Sequence, residues 1–208
     1  MRYYHLTPLT VLGLFCLIGL LLCGTTASAQ TPDRYNPGYG PEETLDSNVA
    51  FYEGELLNYV VYPPKGFKML LDEAAAEGYS FAFVPKEASY DRADVMIGVN
   101  IYRIRGLAFA DVLKEDTANL RHHYGEDIDI RPVDSIMAYT GDLFTTFYID
   151  HKQAFIPNVM IAYFDGGSEI LIFELVISED ALRVEAEEQY VGCLEKFKAM
   201  PEGELGAR

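Results

Sequence analysis

The densest run of chemistry-bearing side chains in this sequence is His122-His123-Tyr124-Gly125-Glu126-Asp127, with Asp129 close behind and His151 further along. Imidazoles and carboxylates together are the ligand set of a zinc site and the acid–base set of a hydrolase. Their spacing does not favour a metal. Adjacent residues of a helix point about 100° apart, whereas one ion is held by i, i+4 partners or by ligands converging from several elements. Histidines in a last helical turn are also explained by the helix dipole, which favours cationic groups there.

Arg103 and Arg105, just before Gly106, could offer two guanidinium groups to an anion or an acidic partner. In so acidic a chain, pairing with its own carboxylates competes with that use. Glu174 interrupts the apolar run Ile170 to Ile177 and shares a face with Ile170, Ile172 and Val176. A dry carboxyl there would be pushed toward its neutral form, one mark of a functional group. At the sheet's end it would instead reach solvent or a lysine. No G-x-S-x-G elbow, P-loop, G-x-G-x-x-G fingerprint or C-x-x-C occurs. These absences remove the common enzyme types and leave no cofactor to name.

The N-terminus carries Arg2 and then an apolar run from Val11 to Cys23, the length of a signal-peptide core and short of the ~20 residues a bilayer requires. Ala27 and Ala29 supply the small residues a signal peptidase admits, so cleavage is expected near Ala29 and the protein is expected outside the cytoplasm, periplasmic or secreted. A lipid anchor is disfavoured because Cys16 follows Phe15 and Cys23 follows Leu22. Of the three cysteines, only Cys193 survives cleavage, so no internal disulfide is possible. Its apolar helical neighbours predict a buried thiol.

The formal charge of −16 argues against nucleic acid and anionic lipid as partners. After cleavage no membrane span is expected, and a monomer is the simplest state. Residues 30–48 hold three prolines and two glycines and read as a tether. Residues 49–200 read as one folded domain and 201–208 as a loose tail.

Within the domain, Leu57–Tyr62 is a short strand stopped by Pro63-Pro64-Lys65-Gly66. Phe67–Leu71, a helical turn at Ala74-Ala75-Ala76 and a strand at Ser80–Val84 follow. Asp94–Ile104 is a long strand with Val95, Ile97, Val99 and Ile101 on one face; it must end or bulge near Tyr102 to expose the arginines. Leu107–Tyr124 is an amphipathic helix ended by Gly125. Strands are expected at Val133–Tyr139, Leu143–Ile149, Val159–Phe164 and Glu169–Ile177. A Gly166-Gly167 turn would join the last two, setting Tyr163 against Ile170 and Glu174 against Val159. Ile170–Ile177 is apolar on both faces and belongs in the middle of a sheet. Ser178 is the expected cap of a final helix whose buried stripe is Leu182, Ala186, Tyr190, Cys193, Leu194 and Phe197, ending at Met200-Pro201. Hairpins dominate, so the fold class is α+β, a mainly antiparallel sheet with helices packed on it.

Several of these pieces together are similar to the PsbP-like α/β/α sandwich domains. They are the strand running into Tyr62-Pro63-Pro64-Lys65-Gly66-Phe67, the long strand and helix, the strand meander, the apolar hairpin Ala162-Tyr163-Phe164 to Ile170-Leu171-Ile172-Phe173, and a last helix closing on Leu194-Glu195-Lys196-Phe197. That group includes the extrinsic subunit P of photosystem II, a nuclear-transport Ran-binding protein and exported bacterial proteins of the DcrB kind. The resemblance implies an accessory scaffold that binds other proteins or a small ligand, and it carries no catalytic set. The expectation is an exported non-catalytic domain with an envelope or secreted protein, or a small ligand, as partner. The strand face of Phe144, Thr146 and Tyr148 is its expected docking surface. The alternatives are a metal-dependent or other hydrolase using the His122/His123 acidic cluster, and a structural envelope component held by the tether.

Overall fold

The computed structural model describes residues 49–104, 106–125, 128–150 and 158–201. Where apolar residues recur every second position the chain forms strands, and where they recur every third or fourth it forms helices. In chain order these are β1 (Ala50–Glu53), β2 (Leu57–Val61), β3 (Phe67–Leu70), α1 (Asp72–Ala76), β4 (Phe81–Pro85), β5 (Val95–Arg103), α2 (Phe109–Tyr124), β6 (Asp129–Met137), β7 (Leu143–Asp150), β8 (Asn158–Asp165), β9 (Glu169–Ile177), α3 (Arg183–Lys196) and β10 (Lys198–Pro201).

Seven strands form one sheet in the order β3-β4-β5-β9-β8-β7-β6, every neighbouring pair antiparallel. The remaining strands form a small sheet, β1-β2-β10. In the large sheet β9 runs between β5 and β8 and is covered above and below, as its two apolar faces require.

On one face, α3 seats Ala186, Tyr190, Cys193 and Leu194, followed by Phe197, on Phe83, Phe144, Phe164 and Phe173. Phe197 is the hub, its ring 4.9 Å from Phe164 and 5.2 Å from Phe144. On the opposite face, Leu120 of α2, with Phe109, Val112 and Leu113, covers Ile149, Val159, Ile161, Tyr163, Ile170 and Ile172. Beside it, Ala74 of α1 packs with Tyr79, Tyr90, Ala82, Val84, Met96 and Val176. Helices on both faces of an antiparallel sheet make the fold α+β, as expected.

Three local expectations are corrected. The β8–β9 turn centres on Gly167 and Ser168: Gly166 N–H donates to Glu169 O at 2.9 Å, and Gly167 takes φ 83°. Gly166 is needed for another reason, since a Cβ there would collide with the Tyr59 hydroxyl. The one-residue displacement pairs Tyr163 with Ile172 and Glu174 with Ile161, keeping every side chain on its expected face. Ser178 does not cap α3; it bonds Asp94, its N–H donating to the Asp94 carbonyl at 2.9 Å, and a 3₁₀ turn at Asp180–Leu182 leads into the helix. Finally, the helix stops at Lys196, and β10 pairs with the free edge of β2, Met200 opposite Asn58. Among the described residues no helix is long and apolar enough to cross a membrane.

Candidate functional site

Three chain segments meet at one end of the sheets: the β1–β2 turn, the end of β5 and the β8–β9 turn. The ladder sets Arg103, last residue of β5, opposite Glu169, first of β9. Glu169 is 0% exposed, and its Oε1 accepts a hydrogen bond from the Tyr52 hydroxyl at 3.3 Å and faces Arg103 Nε at 3.6 Å. Its Oε2 finds no hydrogen-bond partner among the described residues and is covered by Gly54, where a Cβ would collide with it. Beside it the Tyr59 ring stacks between Tyr52 and Phe197. The Tyr59 hydroxyl is raised far above its usual pKa, first by burial and then by the charge of Glu169, although the two make no hydrogen bond of good geometry. Tyr52 is raised by the same two causes in the same order.

Outside this locked floor lies a pocket of about 440 Å³ lined by Glu55, Arg103, Ile104, Gly106, Gly167 and Ser168. Its walls are fixed by backbone: Ile104 N–H donates to Ser168 O at 2.9 Å, and Gly167 N–H donates to Asp165 Oδ1 at 2.9 Å. The Ser168 Oγ is buried and finds no hydrogen-bond partner among the described residues. Two exposed leucines adjoin lining residues in the chain, Leu56 at 55% after Glu55 and Leu107 at 51% after Gly106. Leu56 reaches the Gly167 turn.

A second polar cluster lies between α2 and the sheet. Glu174 accepts a hydrogen bond from the Tyr79 hydroxyl at 2.8 Å, and Tyr79 covers Gly98, opposite Glu174 on β5. Asp116 of α2 accepts one from the Tyr163 hydroxyl. Burial pushes the Glu174 carboxyl up to about 7, against the Tyr79 bond and with a further push from the charge of Asp116. Glu174 keeps a thin strip of accessible surface, but its surroundings are those of the interior. Burial also raises Asp116, opposed by its bond from Tyr163 and reinforced by Glu115. The pair can hold a proton near neutral pH.

The expected site residues do not converge. Arg103 lines the pocket, whereas Arg105 lies outside the described residues. The face of Phe144, Thr146 and Tyr148 is not a docking surface: they are 0%, 1% and 9% exposed. Phe144 packs edge-on against Phe173 and Phe197, and the Tyr148 ring lies 5.3 Å from the Arg131 guanidinium and 5.4 Å from that of Arg183. Both faces of β7 are apolar, so the sequence did not say that helix α3 would claim this one. His122 is exposed in the last turn of α2, and Asp129 pairs with Arg131 at 3.2 Å. The side chain of His123 and all of Glu126, Asp127 and His151 lie outside the described residues. Among the described residues no three His, Cys, Asp or Glu side chains gather as a metal site. Cys193 is buried as expected, its thiol donating to the Tyr62 carbonyl at 3.1 Å and pushed up to about 12 by burial.

Sequence reasoning missed Glu169 and Asp116. Asp116 had a signal: it sits on the buried stripe of α2, four residues after Val112 and four before Leu120. Glu169 had none without the β5–β9 register.

No family model matches the chain, and no curated protein matches it. Among solved structures it is similar to cyanobacterial PsbP from Synechocystis sp. PCC 6803, solved in solution, with a TM-score of 0.49 and 12% identity over 78% of this chain and 99% of that one. This is the same group that the element order resembles, and at that identity and TM-score the likeness carries neither a role nor a partner to this chain.

Proposed function

We propose that this chain is an exported, non-catalytic accessory domain that binds a protein partner or small ligand at the rim pocket between the β1–β2 turn, the end of β5 and the β8–β9 turn. The observation that carries this reading is the pocket itself. Its volume of about 440 Å³ falls in the usual range of ligand sites, and its polar walls stand beside two exposed leucines. Charged groups beneath and beside it are already engaged, Glu169 by Tyr52 and Arg103, which suits a rigid recognition surface better than a reacting centre. Export is supported by the apolar run Val11 to Cys23 and the small residues Ala27 and Ala29.

Native mass spectrometry of protein purified gently from its own compartment tests the proposal. A discrete companion mass is expected, lost from Leu56→Asp and Leu107→Asp, whose chain neighbours Glu55 and Gly106 line the pocket, and kept in Leu71→Asp, an exposed leucine at the start of α1. A companion that persists in both rim variants would rule the pocket out.

A further inference from the structure

We infer that α2 is a proton-held cover on the sheet: it stays seated while Asp116 or Glu174 carries a proton, and swings away about its flanking glycines once both are ionised. The two carboxyls stand across the helix–sheet interface, Asp116 on α2 and Glu174 on β9, each within the field of the other. Asp116 accepts a hydrogen bond from Tyr163 of β8, and Glu174 one from Tyr79, which follows α1. The remaining groups that face them add no positive charge. Glu115 neighbours Asp116 on the helix, and Tyr190 of α3 faces Glu174 from the other side of the sheet. Gly98 of β5 and Ile161 of β8, the ladder neighbours of Glu174, are neutral. Among the described residues no lysine, arginine or histidine acts on either carboxyl. Two carboxylates held there with phenols as their donors repel each other and lack the hydration each would have in water. Both keep a strip of accessible surface, so a proton can leave without the protein unfolding.

The helix, not the strand, is the side free to respond. Strand β9 is held by ladders along both edges, to β5 and to β8. Among the described side chains of α2 only Leu120 is buried, with Phe109, Val112 and Leu113 packed partly buried beside it. Helix α3, by contrast, seats Ala186, Tyr190, Cys193 and Leu194. An element with few buried apolar contacts opens before the core does. Gly106 and Gly125 flank α2 at φ 76° and 104°, where a residue without Cβ lets the chain pivot. Lifting the helix uncovers Ile161, Ile170 and Ile172, an apolar face hidden while it is seated. Glu174, raised by burial from 4.5 to about 7, sets the window. The hold on α2 is full below the lower value and is lost as pH rises through the upper one. Asp116, raised in the same direction, adds to the effect.

Hydrogen exchange of the purified protein between pH 5 and pH 7.5, with rates normalised to those of an unstructured chain, tests the cover. Peptides spanning 110–121 report on α2, and those spanning 184–194 on α3. Protection of α2 is expected to fall roughly tenfold over that range, the linkage of the retained proton reduced for residual contact with water. It is also expected to stay below that of α3 at every pH and to respond little to dilute urea, as a local opening does. Asp116→Asn and Glu174→Gln each remove one ionisation while keeping the side-chain shape. Either is expected to hold the protection of α2 at pH 7.5 near its value at pH 5, and the second variant serves if the first does not fold. Equal protection of α2 and α3 at every pH would overturn the inference, because the helix would then open only with the whole protein. Protection of α2 that does not change with pH, or a fall that persists in a folded variant, would overturn it as well.

Discussion

Glu174 keeps a proton in the folded protein that the unfolded chain would release. Its carboxyl is raised from 4.5 to about 7, so between those values the native state binds more protons than the unfolded one. The associated stability is therefore fully present below the unfolded pKa and is lost as pH rises through 7. Asp116, raised in the same direction, adds to the slope. Urea unfolding at stepped pH should show a loss of roughly 2 kcal/mol between pH 5 and 8, the shift converted at about 1.4 kcal/mol per unit and reduced for residual contact with water. Glu174→Gln should flatten that profile and make the protein more stable than wild type at pH 8. A profile unchanged by the substitution would show that the proton sits elsewhere. Gly98→Ala belongs to the same cluster: its Cβ would meet the Tyr79 ring, and a cost of about 1–3 kcal/mol is expected from displacing it. Glu174 was legible because a lone carboxylate in an apolar strand stands out. Glu169 was not, because its meaning comes from Arg103, which lies 66 positions earlier and reaches it only through the β5–β9 ladder.

Elements whose burial depends on near neighbours could be read directly. Strand β9, apolar on both faces, lies inside the sheet; α2 ends at Gly125; and the buried stripe of α3 runs through Ala186, Tyr190 and Leu194, with Phe197 just past its end. Elements defined by a distant partner could not. Ala50–Glu53 became strand β1 only because β2 was there to pair with it, and Lys198–Pro201 took the other edge of β2. The face of Phe144 belongs here too, since pattern alone makes both sides of β7 equally apolar. Its place in the core has a measurable consequence. Phe144→Ala should cost about 3–5 kcal/mol in chemical unfolding, the scale of an emptied aromatic core site. A cost within a few tenths of a kcal/mol would return that face to the surface.

The described residues join a sheet covered by helices on both faces to a polar pocket where the β1–β2 turn, β5 and the β8–β9 turn meet, in a chain of marked acidic excess. Its class was legible from element order, whereas the pocket required two turns and the end of β5 to be placed side by side. Hydrogen-exchange mass spectrometry of the purified protein, with and without a concentrated extract of its own compartment, addresses the rim pocket without presuming the partner. Slowed exchange confined to peptides covering 53–57, 102–107 and 165–169 is the expected result. Protection centred instead on the edge strand β6, or no protection anywhere, would contradict binding at the pocket.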